Sequence, residues 1–113
     1  MKQVFYVPER GDVVWIALSP DADREVSPRH PAVILSPQAY NLRVGLAVLC
    51  PVTAHIKGYP FEVLIPGGLP IKGAILADQA ESFDWRARRA ELVCSLPPVV
   101  VEEALGKLRS LLE

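Results

Sequence analysis

Eleven of the 113 residues are proline, and they cut most of the chain into short apolar runs. Proline fixes its own φ, carries no N–H donor and pushes the residue before it into an extended conformation, so such runs read as strands bounded by turns. Residues 12–18, "DVVWIAL", are rich in β-branched and aromatic side chains and apolar on both faces, which predicts a strand buried on both sides. Further strands are expected at about 32–36, 46–54, 61–65, 74–80 and 90–95. Turn signals separate them at "SPQAYN", "KGYP" and "PGGLP", with a hairpin turn at 66–68. Short strands at this spacing predict a mainly β fold, a small barrel or sandwich.

The tail departs from the pattern. Pro97 and Pro98 suit the first turn of a helix, and the segment that follows sets Val101, Ala104, Leu105, Leu108, Leu111 and Leu112 on one apolar stripe. A single amphipathic C-terminal helix is expected, packed on the sheet or at an interface. Gly106 inside it costs about 1 kcal/mol relative to alanine and is expected to mark a close neighbour. No repeat or linker divides the chain, so residues 1–113 are read as one domain.

Half the residues are apolar, enough for a chain of this size to bury about two-thirds of its unfolded surface without a metal or disulfide. The formal net charge of −1 supplies no overall positive field, so an anionic partner would need a local patch. Cys50 and Cys94 each lie in an apolar run and read as small buried thiols in a reducing compartment. With no basic and apolar leader, and with apolar runs short of the ~20 residues of a membrane span, a cytoplasmic protein is expected.

Most catalytic signatures are missing. His30 and His55 have no second ligand at a metal-binding spacing, Ser36 lacks the glycines of a nucleophile elbow, and "PGGLPIKGA" lacks phosphate-loop spacing. A polar set remains. The segment 19–29, "SPDADREVSPR", reads as a long loop that delivers Arg24, Glu25, Arg29 and His30 to the proline opening the second strand. Thr53, His55 and Lys57 stand at the end of the third strand. If those two strands are antiparallel neighbours, "RHP" and "PVTAHIK" share one rim. Such a set covers the needs of metal-free RNA cleavage: a base for the 2′-hydroxyl, a donor or cation for the charged phosphorane, and an acid for the 5′ oxygen. A solvated rim with a strand-end threonine is the plainer alternative.

Five blocks in register, "YVPERGDVVWI", "HPAVILSPQAYN", "PVTAHIKGYPFEV", "LADQ" and "DWRAR", resemble the MazF/PemK toxins of bacterial toxin–antitoxin modules. The likeness runs from about residue 6 to the C-terminal helix. It implies a homodimeric SH3-like barrel of the CcdB/MazF type with a C-terminal helix. It also implies a metal-independent, cofactor-free endoribonuclease that cuts single-stranded RNA at a short sequence, leaving a 2′,3′-cyclic phosphate and a 5′-hydroxyl. A cognate antitoxin would hold it inactive, and the arginine-bearing loops suggest that this partner carries an acidic, disordered segment.

Carried over by position, the family's threonine falls on Thr53 and its acidic loop residue on Glu25. The family's arginine directly before the proline is here His30, with Arg29 one place earlier. Adjacent extended residues point to opposite sides, so either His30 has taken the role or Arg29 reaches in from a bent backbone. Arg24, His55, Lys57 and Arg86 are candidates for RNA contact, and Asp78 and Gln79 for support. Trp15 is read as core packing, while "DWRARR" is either an RNA or antitoxin surface or a solvated turn. Two other readings stay open: a non-catalytic toxin acting on a protein such as gyrase, and a toxin-like binding module that has lost cleavage.

Overall fold

The computed structural model of the chain describes residues 6–17 and 28–113. The described strands are β1 (Asp12–Ala17), β2 (Arg29–Ile34), β3 (Ala47–Thr53), β4 (Glu62–Leu64), β5 (Ala74–Leu76), β6 (Glu81–Phe83) and β7 (Glu91–Ser95). A short helix α1 (Gln38–Val44) joins β2 to β3, and α2 (Pro98–Leu112) ends the chain. The strands pair antiparallel along the path β4-β5-β3-β2-β1-β7, with β6 also on β3. The expected mainly β fold with a C-terminal helix is therefore the one observed. Its strand path stays open, because β4 and β7 at the two ends do not pair with each other.

Both faces of the sheet are apolar, which explains why β1 and β2 alternate so little. On one face Val13, Val33, Cys50, Val52, Val63 and Ile75 form a cluster with Leu96, Val100, Val101 and Ala104, so α2 covers this side from the β7 end to β4. On the other face Val14, Ile16, Ala32, Ile34, Ala47 and Leu49 surround Trp85. Fully burying one such valine or isoleucine is worth about 1.5–3 kcal/mol, so the two clusters supply most of the stabilisation.

The helix stripe is shifted from the expected one. Val100 joins Val101 and Ala104 in the core, Leu105 and Leu108 are partly buried, and Leu111 and Leu112 are exposed. Gly106 faces open space: a methyl group there would meet nothing within 4 Å, contrary to the expected close neighbour. "SPQAYN" is the start of α1 rather than a plain turn, with Pro37 preceding the helix and Gly45 ending it at φ 82°. The run read as one strand over 74–80 ends at Leu76 in β5, and β6 follows separately.

A buried polar knot ties α1 to the sheet. The Ser36 hydroxyl donates to Asn41 Oδ1 at 2.5 Å and accepts the Val48 N–H at 2.8 Å. Asn41 Nδ2 donates to the carbonyls of Pro8 and Ser36, and the Asn41 carbonyl accepts the Trp85 indole N–H at 3.0 Å. Asn41 is fully buried, so each of these bonds matters: a buried polar group stripped of its partner costs about 1–3 kcal/mol. Among the described residues no helix is long and apolar enough to cross a membrane.

Two substitutions test this account with opposite signs. Asn41→Ala leaves the Ser36 hydroxyl without its acceptor and the Pro8 carbonyl without its donor, and should lower the unfolding free energy by about 2–4 kcal/mol in denaturant titration. Gly106→Ala fills open space on a helix and should raise it by about 0.5–1 kcal/mol.

Candidate active site at the rim of β2 and β3

The strand that opens at the proline begins earlier than expected: Arg29 and His30 belong to β2 and pair with Ala17 and Ile16 of β1. On its other side β2 pairs with β3 as Ala32 with Pro51, Val33 with Cys50 and Ile34 with Leu49. The same register carried two residues further sets His30 opposite Thr53. Opposed residues of an antiparallel pair point to the same face, so His30 and Thr53 share one side while Arg29 points to the other. "RHP" and "PVTAHIK" do share a rim. His30 is exposed and Thr53 half-buried.

Three open depressions meet here. One of ≈ 470 Å³ is lined by His30, Pro31, Gln79, Glu81 and Phe83, a second of ≈ 550 Å³ by Trp15, Arg29, His30, Thr53 and Lys72, and a third of ≈ 310 Å³ by Thr53, His55, Lys57 and Tyr59. Gln79 lines all three, so they form one trough that crosses the ends of β2 and β3. Sequence reasoning gave Gln79 a supporting place only and missed Lys72 and Tyr59. They reach the trough from segments beyond β3, and no local spacing links them to it.

Thr53 is held tightly. Its Oγ1 accepts the His55 N–H at 3.0 Å, which leaves the hydroxyl proton free to point outward. Its backbone pairs with Ala74, and Gly73, at φ 131°, lies so close to the Thr53 carbonyl that a Cβ there would collide with it. Only glycine fits that approach.

The loop after Thr53, which carries His55 and Lys57, is fastened by two carboxylates. Glu62 accepts the backbone N–H groups of Lys57, Gly58 and Tyr59 at 3.0, 2.9 and 3.3 Å. These bonds, that from Lys57 foremost, hold the Glu62 carboxyl below its ordinary 4.5. The Tyr59 hydroxyl donates to Asp78 Oδ2, and that bond pushes the phenol up, which keeps it a donor. One oxygen of Asp78 is thus occupied with the loop, while the other is buried without a hydrogen-bond partner among the described residues.

The remaining candidates divide plainly. Arg29 Nη1 lies 3.2 Å from Glu91 Oε1 of β7, so the guanidinium is paired across β1. Arg86 lies over the Trp85 ring at 4.9 Å and lines none of the three depressions. Arg24 and Glu25, with the rest of the loop expected at 19–29 up to residue 27, lie outside the described residues. Both tryptophans depart from expectation: Trp85 of "DWRARR" is 5% exposed and part of the core rather than on a surface or solvated turn, whereas Trp15, expected in the core, is half-buried and lines the trough. Cys50 is buried, with its thiol pushed up to about 12 by burial, and Cys94 is half-buried; both are free. Among the described residues no three His, Cys, Asp or Glu side chains cluster as a metal site.

An imidazole, a free hydroxyl, an amide and an ammonium along one open trough suit a long anionic ligand and a proton transfer. A small antiparallel β domain, helix-covered on one face and carrying its polar groups at a strand rim, is the class these features define. The model of the PemK-like, MazF-like toxins of type II toxin–antitoxin systems matches residues 9–112. The endoribonuclease toxin MazF of Escherichia coli strain K12 is 38% identical over 107 residues, spanning 95% of this chain and 96% of that protein. The endoribonuclease PemK of Escherichia coli is 31% identical over 108 residues, 92% and 81% of the two chains. A crystal structure of MazE–MazF from Deinococcus radiodurans superposes with a TM-score of 0.87 at 50% identity, covering 95% of this chain and 97% of that one. The chain belongs to the PemK/MazF toxin family.

The Glu62 fastening gives a pH prediction with a definite sign. A carboxyl lowered in the folded state stabilises fully above its ordinary value and loses that contribution as pH falls through the lower folded value. The amides of Lys57, Gly58 and Tyr59 should therefore stay protected from hydrogen exchange near neutrality. They should lose protection below about pH 4.5 before the core does, and Glu62→Gln should weaken the protection at neutral pH.

Proposed function

We propose that the protein is a toxin endoribonuclease that cleaves single-stranded RNA at a short sequence without a metal ion. The 2′-hydroxyl loses its proton and attacks the adjacent phosphorus. The new O2′–P bond replaces the P–O5′ bond, and a proton passes to the departing 5′ oxygen, leaving a 2′,3′-cyclic phosphate and a 5′-hydroxyl. The observation that carries the reading is the register that faces His30 with Thr53 in the trough. His30 moves one of the two protons, with Glu25 the candidate for the other. The Thr53 hydroxyl donates to a phosphoryl oxygen whose charge grows at the transition state. His55 and Lys57 follow the strand of RNA beyond it.

The endoribonuclease names of the similar proteins support this activity, and the MazE–MazF complexes among similar structures support a cognate antitoxin as partner. The same reading takes the active unit as a homodimer. Val99, Leu111 and Leu112, 75, 46 and 78% exposed, offer apolar surface outside the part of α2 buried in the core.

The test is incubation with a mixed-sequence single-stranded RNA in EDTA, followed by end analysis. Discrete fragments with cyclic-phosphate ends are expected, and 2′-deoxy substitution at the cut site should stop cleavage. His30→Ala should slow the reaction by about 10²–10⁴-fold and remove the limb of the pH–rate profile that a proton-transferring side chain leaves. Thr53→Ala should cost about 10²-fold or more. Folded His30→Ala and Thr53→Ala proteins that cut RNA at the parental rate would overturn the assignment.

A further inference from the structure

Arg29 neighbours His30 in the chain yet serves a different part of the trough. It pairs with Ala17 and thus lies on the face of β2 turned away from His30 and Thr53. Its guanidinium reaches over β1 to Glu91, which is itself opposite Trp15. Arg29 also lines the depression that holds Trp15, Thr53 and Lys72. Two cations thus border a depression that Thr53 also lines, and one of them is already paired with a carboxylate.

We infer that Arg29 and Lys72 form a subsite for an RNA backbone phosphate next to the one that reacts, and that Glu91 is a resident counter-ion which that phosphate displaces. This rests on the reading of the protein as a ribonuclease. The side chains of Arg29 and Glu91 are 39% and 67% exposed, so their pair is screened by water and contributes little. A phosphate offers the planar guanidinium two oxygens, where Glu91 meets it through one, and keeps a full charge beside Lys72. The exchange therefore runs toward RNA, but the carboxylate competes at every encounter. Glu91 sets affinity by withholding Arg29, and His30 and Thr53 set the chemical rate.

The experiment measures binding of an uncleavable 2′-O-methyl oligonucleotide of the preferred sequence, together with steady-state cleavage of its RNA counterpart. Arg29→Ala should weaken binding by about 10-fold and reduce the slope of log affinity against log salt by about 0.7, the value for one phosphate on a single strand. Its effect on cleavage should appear in KM, in contrast to the kcat effect of His30→Ala. Arg29→Lys, which keeps the charge and loses the fork, should fall between. Glu91→Gln should tighten binding by about 2- to 5-fold, and that gain should vanish in the Arg29→Ala background. The proposal is overturned if Glu91→Gln weakens binding or leaves it unchanged, or if it tightens binding equally without Arg29, which would mark a long-range charge effect. An Arg29→Ala effect confined to kcat would overturn it as well. A parent protein that neither binds nor cuts RNA overturns the ribonuclease reading and this one together, whereas a parent that cuts RNA while Glu91→Gln fails overturns this one alone.

Discussion

The register of β2 on β3 depends on the buried contact between Ser36 and Asn41. Ser36 stands just past the end of β2 and takes the Val48 N–H into its hydroxyl, while Asn41 holds that hydroxyl and the Ser36 carbonyl from α1. Both residues are buried, and neither could move one position along without stranding a polar group away from water. A slip of one residue reverses every side chain of a strand. Here it would turn His30 away from Thr53 and bring Arg29 in its place. Which of two adjacent residues shares a face with Thr53 is thus decided at the opposite end of the hairpin, five or more residues away.

Acidic residues do much of the quiet fastening. Asp12 accepts the Tyr6 hydroxyl, the Glu9 N–H and the Ser95 hydroxyl, and Asp84 accepts the N–H groups of Arg86 and Ala87 in the turn beneath Trp85. Glu62 and Asp78 fix the loop of His55 and Lys57, and Glu91 holds Arg29. The near-zero net charge therefore says little about partners. These negative charges are engaged with backbone, phenol and guanidinium groups, while Lys57 and Lys72 stand exposed along the trough.

Much of this was legible in the chain and some was not, for identifiable reasons. Strand positions followed from proline spacing and β-branched runs, and α2 from its apolar stripe, because those signals are local. α1 was missed because Pro37, Gln38 and Asn41 look like turn residues; its stability comes from the tertiary bonds of Asn41. The burial of Trp15 and Trp85 differs from the expected one because an aromatic in a strand and an aromatic among arginines give no hint of which side is covered. Thr53 and His30 could be named as candidates from the rim argument and the family resemblance. Which of His30 and Arg29 shares a face with Thr53 needed the pairing with β3, and Gln79 and Lys72 needed the return of later segments to the trough.

Gly73 ties the geometry of this rim to a single hydrogen atom. Because its α-carbon passes so near the carbonyl of Thr53, any larger residue would have to move the backbone that carries the hydroxyl. Gly67, in the same loop, has open space around it. A side chain at Gly67 therefore leaves Thr53 where it stands, while any side chain at Gly73, the last residue before β5, displaces it. Room for a side chain and the exclusion of one thus lie within seven consecutive positions of a single loop, 67–73.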